Sequence, residues 1–216
     1  MRKRHLILLA LCISLIISTI PVSSQGKDIV LERPKANINV DLMTAYKLRK
    51  STKSFLTKEI NLEDLSTILW AANGINRPDG KRTAPSSYGK YYINLYVVSN
   101  KGIYIYDVPK HELRLVADEN VKRQIAKQKY VGEASHIIMF AADLSKFHPL
   151  VKEEAKIPVA YATVGFIGQN IYLITNTLNL GASFVVGLKK EVIREKLKLK
   201  ADEIPLSVMP IGYPKR

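Results

Sequence analysis

Arg49-Lys50-Ser51-Thr52-Lys53-Ser54-Phe55 sets three cations among hydroxyl side chains within a single heptapeptide. Such a group can surround a phosphate with charge-assisted hydrogen bonds, while the closing aromatic residue anchors the segment in the core. On spacing alone, an ordinary basic surface turn fits as well. Other chemistries find less support. His5, His111, His136 and His148 stand far apart, without the i, i+4 pairing of zinc hydrolases. No G-x-S-x-G turn presents a nucleophile, and neither Ser86 nor Ser87 has an obvious histidine and acid partner. Gly80-Lys81 has the wrong glycine spacing for a phosphate loop, and G-x-G-x-x-G does not occur. Cys12 is the only cysteine. Redox chemistry in this chain therefore needs a borrowed cofactor.

The elements that must position the basic segment follow from periodicity. Leu42, Ala45, Tyr46 and Leu48 lie at helical spacing across Asp41 to Arg49 and lead directly into it. Asn61 can cap a second helix whose apolar stripe is Leu62, Leu65, Ile68, Leu69 and Ala72, with Asp64 three residues after the cap. Asn73 to Gly89 reads as a long loop, the length class that usually serves function. Ile93 to Val98 and Ile103 to Tyr106 form a hairpin around Ser99-Asn100-Lys101-Gly102. Leu113 to Val116 adds a strand, Asp118 caps a helix running to about Tyr130, and His136 to Ala142 reads as a buried central strand. Pro158 starts a long helix that reaches Leu180 and is closed by Gly181. Apolar nearly all round, with Gly165 and Gly168 permitting close approach, that helix suggests a dimer seam. Ala182 to Val186 and Leu206 to Ile211 are further strands around a Lys189 to Leu197 helix. The class is α+β, a mixed central sheet flanked by helices.

The chain has 216 residues, with 33 Lys+Arg against 19 Asp+Glu and a net charge of +14. That length supports one substantial core and excludes a multidomain machine. With 47% hydrophobic residues and no repeat period, it is neither disordered nor a solenoid. Residues 1–24 carry a basic Arg2-Lys3-Arg4 start, an apolar run from Leu6 to Ile20, then Pro21 and small residues. This order reads as a signal peptide cleaved after Ser24, or as an N-terminal anchor; either sends the body across the cytoplasmic membrane. A buried core helix is the third reading. Residues 25–40 read as a polar linker and 41–216 as the folded domain. The basic residues are scattered and no nucleic-acid motif accompanies them, so a Lys-rich solvated surface accounts for the charge and no nucleic-acid partner is expected.

Arg49-Lys50-Ser51-x-Lys53-x-Phe55 resembles the R-R-S-x-R-x-F opening of the nitroreductase superfamily. The likeness continues in register through Leu65 to Gly74, Ala84-Pro85-Ser86-Ser87-Tyr88-Gly89, Leu95 to Val98, Gly102 to Tyr106, Gln169-Asn170-Ile171-Tyr172-Leu173, Leu180-Gly181-Ala182 and Pro210-Ile211-Gly212-Tyr213-Pro214. Its pattern is most similar to the SagB-type dehydrogenase branch. The resemblance implies a nitroreductase-like homodimer with FMN at the interface and allows NAD(P)H as electron donor; export by residues 1–24 would make a membrane quinol, a partner redox protein or the substrate itself the donor instead. Substrates would be small molecules or, for an azoline oxidase, peptides. Arg49, Lys50, Ser51 and Lys53 would hold the FMN phosphate, with Lys215 and Arg216 contributing from the chain end. Pro85, Ser86 and Ser87 would meet the isoalloxazine ring, and Val186-Gly187 would face its reactive nitrogen. No side chain need act as acid or base, because the chemistry resides on the flavin. Lys129-Tyr130 is similar to a Lys-Tyr pair of azoline-oxidising relatives, although a packed helix-end pair would look the same. Two departures bear on substrate: Val186 stands where some members carry an acidic residue, and Tyr88-Gly89 where many carry Asn.

Overall fold

The computed structural model describes residues 27–215; residues 1–26, which include the expected signal or anchor 1–24, and Arg216 lie outside the described residues. β-Branched and aromatic runs form a seven-stranded sheet in the order β1-β4-β3-β2-β5-β7-β6. The strands are β1 (Ile29–Val30), β2 (Ile93–Ser99), β3 (Gly102–Asp107), β4 (Glu112–Ala117), β5 (His136–Asp143), β6 (Gly181–Ala182) and β7 (Glu203–Gly212). All pairings between them are antiparallel. The parallel component of the expected mixed sheet is confined to a single bridge, Ser51 with Ala182.

β5 is an interior strand between β2 and β7, and its alternation divides the core. Ile138, Phe140 and Ala142 pack with α2 (Leu62–Asn73) and α3 (Glu153–Thr177) on one face. Ile137, Met139 and Ala141 pack on the other face with Val121, Ile125, Leu188 and α4 (Lys190–Lys196). Burial on both faces explains why β5 reads as an unbroken apolar run. The Asn61 side chain accepts from Asp64 N at 2.7 Å, so the expected cap of α2 forms. Helix α1 (Leu42–Leu48) is capped in the same way by Asp41.

Four expectations are corrected. Asp118 to Tyr130 is not a helix but turns leading into a short 3-10 segment, Lys129–Glu133. Its backbone is drawn to the 187–189 chain instead: Lys127 N donates to Gly187 O, and Ile125 O accepts from Lys189 N. Residues 27–40 are not a free linker. β1 pairs with β4, Glu32 N and Lys35 N donate to the Ser66 and Thr67 hydroxyls, and Lys35 Nζ meets Asp64 at 2.6 Å. Helix α3 begins at Glu153, five residues ahead of Pro158, and it ends before Gly181. Asn179, at φ 58, supplies the left-handed residue, with Leu180 N donating to Thr175 O. Finally, the expected strand Ala182 to Val186 keeps regular pairing only at Ala182, with one further bridge at Val185.

Burial of the His136 ring pushes its pKa down to about 4, helped by the Lys122 and Lys101 ammoniums and opposed by Glu59. The folded value lies below the unfolded one, so the unfolded chain binds the extra proton between about pH 6.5 and 4. Stability from this group is full above pH 6.5 and is lost as pH falls toward 4, by about 3 kcal/mol. Urea unfolding at pH 7.5 and pH 5 should show about 2 kcal/mol of that loss in the wild type and a much smaller one in His136→Gln. Equal losses would exclude His136 as the cause.

Candidate flavin site

The chain leaves α1 at Arg49 and is clamped at once from two sides. Thr52 N donates to Ala182 O at 2.8 Å, alongside the Ser51–Ala182 bridge. Three residues on, Phe55 bridges Pro214, Leu56 N donates to Tyr213 O, and Lys215 N donates to Ser54 O at 3.0 Å. Thr52 and Phe55 are buried, whereas Arg49, Lys50, Ser51 and Lys53 are exposed. The segment therefore buries its anchors and leaves its cations and Ser51 exposed. Lys215 is brought beside it from the other end of the chain. None of these four cations is in an ion pair with a carboxylate among the described residues. Free cations beside a hydroxyl are what a phosphate requires.

Tyr172 of α3 organises this surface. Its hydroxyl lies 3.0 Å from Ser51 Oγ and accepts from Phe184 N at 2.7 Å, and the Arg49 guanidinium sits 5.4 Å from its ring centre. Tyr172 was visible in the sequence only as part of a helical motif; its partners come from chain segments 121 and 12 residues away. Close packing adds a constraint at Gly181, where a Cβ would overlap Thr52 Oγ1. Gly181→Ala should therefore push Thr52 and Ser51 off their positions at an overpacking cost of about 1–3 kcal/mol. Chemical denaturation should show that loss, although no charge has changed. Unaltered stability would mean the contact relaxes freely.

Val186 and Gly187 continue from the Ala182 strip. Val186 is 63% exposed, and Gly187 packs so closely on the Gln128 amide that a side chain there would collide with it. The neighbouring 3-10 turn brings Tyr130 within reach, its hydroxyl 3.4 Å from Ser183 Oγ, while Lys129 is exposed. The chain thus ties the 49–53 segment to Ala182 on one side and the neighbouring 54–56 backbone to Tyr213–Lys215, with Val186 and Gly187 four and five residues beyond Ala182 and Tyr130 against Ser183.

The Pro85-Ser86-Ser87 loop lies elsewhere. Ser87 N donates to Tyr92 OH, which meets Thr163 Oγ1 of α3 at 2.7 Å, and Ser86 Oγ accepts from Tyr91 N at 3.1 Å. Tyr88 is left-handed at φ 53 and stacks on His148 with 4.3 Å between ring centres. Thr163 and Tyr172 are nine residues apart on α3, roughly 13 Å along its axis. Within one protomer the two groups are held at different levels of the same helix, with no hydrogen bond between them. The exposed face of α3 around Thr163 carries Tyr161, Ala162, Gly165 and Phe166; Phe166 is 51% exposed, and apart from the neighbouring residues and backbone of its own helix nothing among the described residues lies within 4 Å of a Cβ at Gly165.

Residues 46–213 match the model of the nitroreductase family. The chain belongs to the nitroreductase family. A Methanocaldococcus jannaschii protein bearing a nitroreductase name is 30% identical over 174 residues, which span 76% of this chain and 86% of that one. A Ralstonia eutropha crystal structure, also named as a nitroreductase, superposes with TM-score 0.85 at 32% identity, covering 90% of this chain and 93% of that one. A Clostridium acetobutylicum structure named as an NADH oxidase shares the fold alone, at TM-score 0.58 and 19% identity over 80% of this chain and 88% of the other. As a nitroreductase-family protein, the chain has the α+β architecture in which an antiparallel sheet is flanked by helices.

Proposed function

We propose that this nitroreductase-family chain is an FMN-dependent oxidoreductase that works as a homodimer. The observation that carries this reading is the clamped segment 49–53, whose exposed cations pair with no carboxylate among the described residues and flank Ser51, itself held 3.0 Å from the Tyr172 hydroxyl. Arg49, Lys50, Ser51, Lys53 and Lys215, with Arg216 beyond them, would hold the FMN phosphate, and Val186-Gly187 would lie along one side of the ring. When bound, FMN supplies hydride and electron exchange in a ping-pong cycle, first with a donor and then with an acceptor. The chain's own residues bind, orient and exclude water. Because the Ser86 loop and the basic segment sit at different levels of α3, a complete site is best built from the Ser86 loop of one protomer and the basic segment of the other. The exposed α3 stripe would form the seam between them.

An absorption spectrum of the purified domain tests the proposal, with flavin bands expected, followed by steady-state reduction of nitroaromatics and quinones. Colourless protein that takes up no added FMN would overturn it. Flavin without turnover would leave a flavin-binding protein. A second reading, oxidation of a peptide-borne azoline as in the SagB-type branch, is favoured by the approach of Tyr130 to Ser183 beside Val186. It predicts that Tyr130→Phe abolishes azoline oxidation yet leaves quinone reduction intact.

Export is part of the proposal. Residues 1–24 would deliver or tether the domain outside the cytoplasmic membrane, where a quinol or partner redox protein replaces soluble NAD(P)H as donor. The order Arg2-Lys3-Arg4 lacks the paired arginines of the route for folded proteins, so FMN would be captured after crossing. Fusing residues 1–60 to a reporter active only outside the cytoplasm should give signal. A silent reporter, with the whole protein found among cytoplasmic enzymes, would favour an ordinary NAD(P)H-dependent reductase.

A further inference from the structure

We infer that a polar cleft of about 370 Å³ where β2 begins and β3 ends, next to the Ser86 loop but outside the flavin surface, is a binding site for a small oxyanion carrying phosphate or carboxylate groups. Arg82 makes the case. Its guanidinium lies 4.3 Å over the Tyr91 ring, and its Nε is sealed from solvent without any acceptor. No carboxylate reaches it among the described residues. A cation held in this way is costly unless an anion joins it.

Arg114, Lys146 and Glu203, which also line the cleft, already have partners other than Arg82. Arg114 holds Asp107 at 3.2 Å, Lys146 holds Asp143 at 3.1 Å, and Glu203 accepts from Asn94, Tyr96 and the Lys200 amide. Lys200, an exposed residue, also lines the cleft, and its ammonium pairs with no carboxylate among the described residues. Two uncompensated cations thus border a space with room for several heavy atoms, given about 30 Å³ for each water it could hold. Phosphate and short di- or tricarboxylates fit that description. The site also touches the flavin loop: Arg82 N donates to Tyr91 OH, and Tyr91 N donates to Ser86 Oγ, each at 3.1 Å. Tyr91 is itself left-handed at φ 47, a conformation that bulky residues adopt only under constraint.

Calorimetric titration of the FMN-loaded protein, once with inorganic phosphate and once with citrate, tests the site. Saturable binding is expected, weakened about tenfold or more, the worth of one strong charge-assisted bond, in Arg82→Gln and several-fold in Lys200→Glu. Flavin content should be unchanged in both. Tighter phosphate binding would identify a phosphorylated ligand, and tighter citrate binding a carboxylic acid. Absence of saturable heat with either anion, or affinity unaffected by Lys200→Glu, would overturn the inference; the latter variant changes an exposed residue and remains decisive if Arg82→Gln fails to fold. Binding lost in Lys53→Ala but kept in Lys200→Glu would place the anion on the flavin phosphate segment and also reject it.

Discussion

Protein carrying Arg49→Ala together with Lys53→Ala should purify almost colourless. Each lost charge-assisted hydrogen bond to a phosphate costs about 1.5–3 kcal/mol, so the pair removes roughly 3–6 kcal/mol and weakens FMN binding by about 10²- to 10⁴-fold. The fold should hardly notice. Both side chains are exposed and neither is ion-paired with a carboxylate among the described residues; Arg49 forfeits only its contact with the Tyr172 ring, worth about 0.5–1 kcal/mol. Flavin-to-protein ratio and fluorescence titration of the apoprotein measure the first effect, and thermal unfolding of the apo forms measures the second. Unchanged FMN affinity in the double variant would refute the phosphate assignment.

The second large effect is expected at Gly165. Apart from its chain neighbours and the backbone of its own helix, no atom of the described residues lies within 4 Å of a Cβ placed there. Within a single chain, Leu at this position meets open space and should gain about 0.8 kcal/mol of helix propensity. At a seam between two α3 helices, the same side chain would force the backbones apart. Gly165→Leu should therefore yield a well-folded monomer that has released its flavin. Sedimentation and flavin content together read this out, and the opposite signs for folding and association separate an interface residue from a core residue. Wild-type protein that sediments as a monomer while retaining FMN would sink the dimer proposal.

Much of this arrangement could be read before the structure, for identifiable reasons. The β2–β3 hairpin, the buried β5 and the capped α2 announce themselves because composition, alternation and capping agree locally. The anchoring of Phe55 was legible for the same reason. The segment 118–130 was misread because Val121, Ile125 and Ala126 imitate a helical stripe; the donors and acceptors that decide its shape lie some 60 residues downstream, at Gly187 and Lys189. The 27–40 stretch misled in the opposite sense. It is polar, but its amides find Ser66 and Thr67, hydroxyls on the outer side of a helix that periodicity could only label non-core. Tyr172 and Arg82 share that limitation, since each draws its meaning from partners that no local window contains.

The pairing of β1 with β4 also fixes how far the domain can travel. Only residues 25–28 separate the proposed signal or anchor from the first paired residue, Ile29. Fully stretched, four residues span about 14 Å, less than the roughly 16 Å radius of gyration expected for a body of this size. A domain retained by residues 1–24 would therefore be held with its β1–β4 edge against the bilayer, unable to swing out in search of partners. Encounters would be two-dimensional, governed by what diffuses within the membrane plane, and the rate of turnover would follow the surface density of the electron donor rather than its concentration in bulk solution.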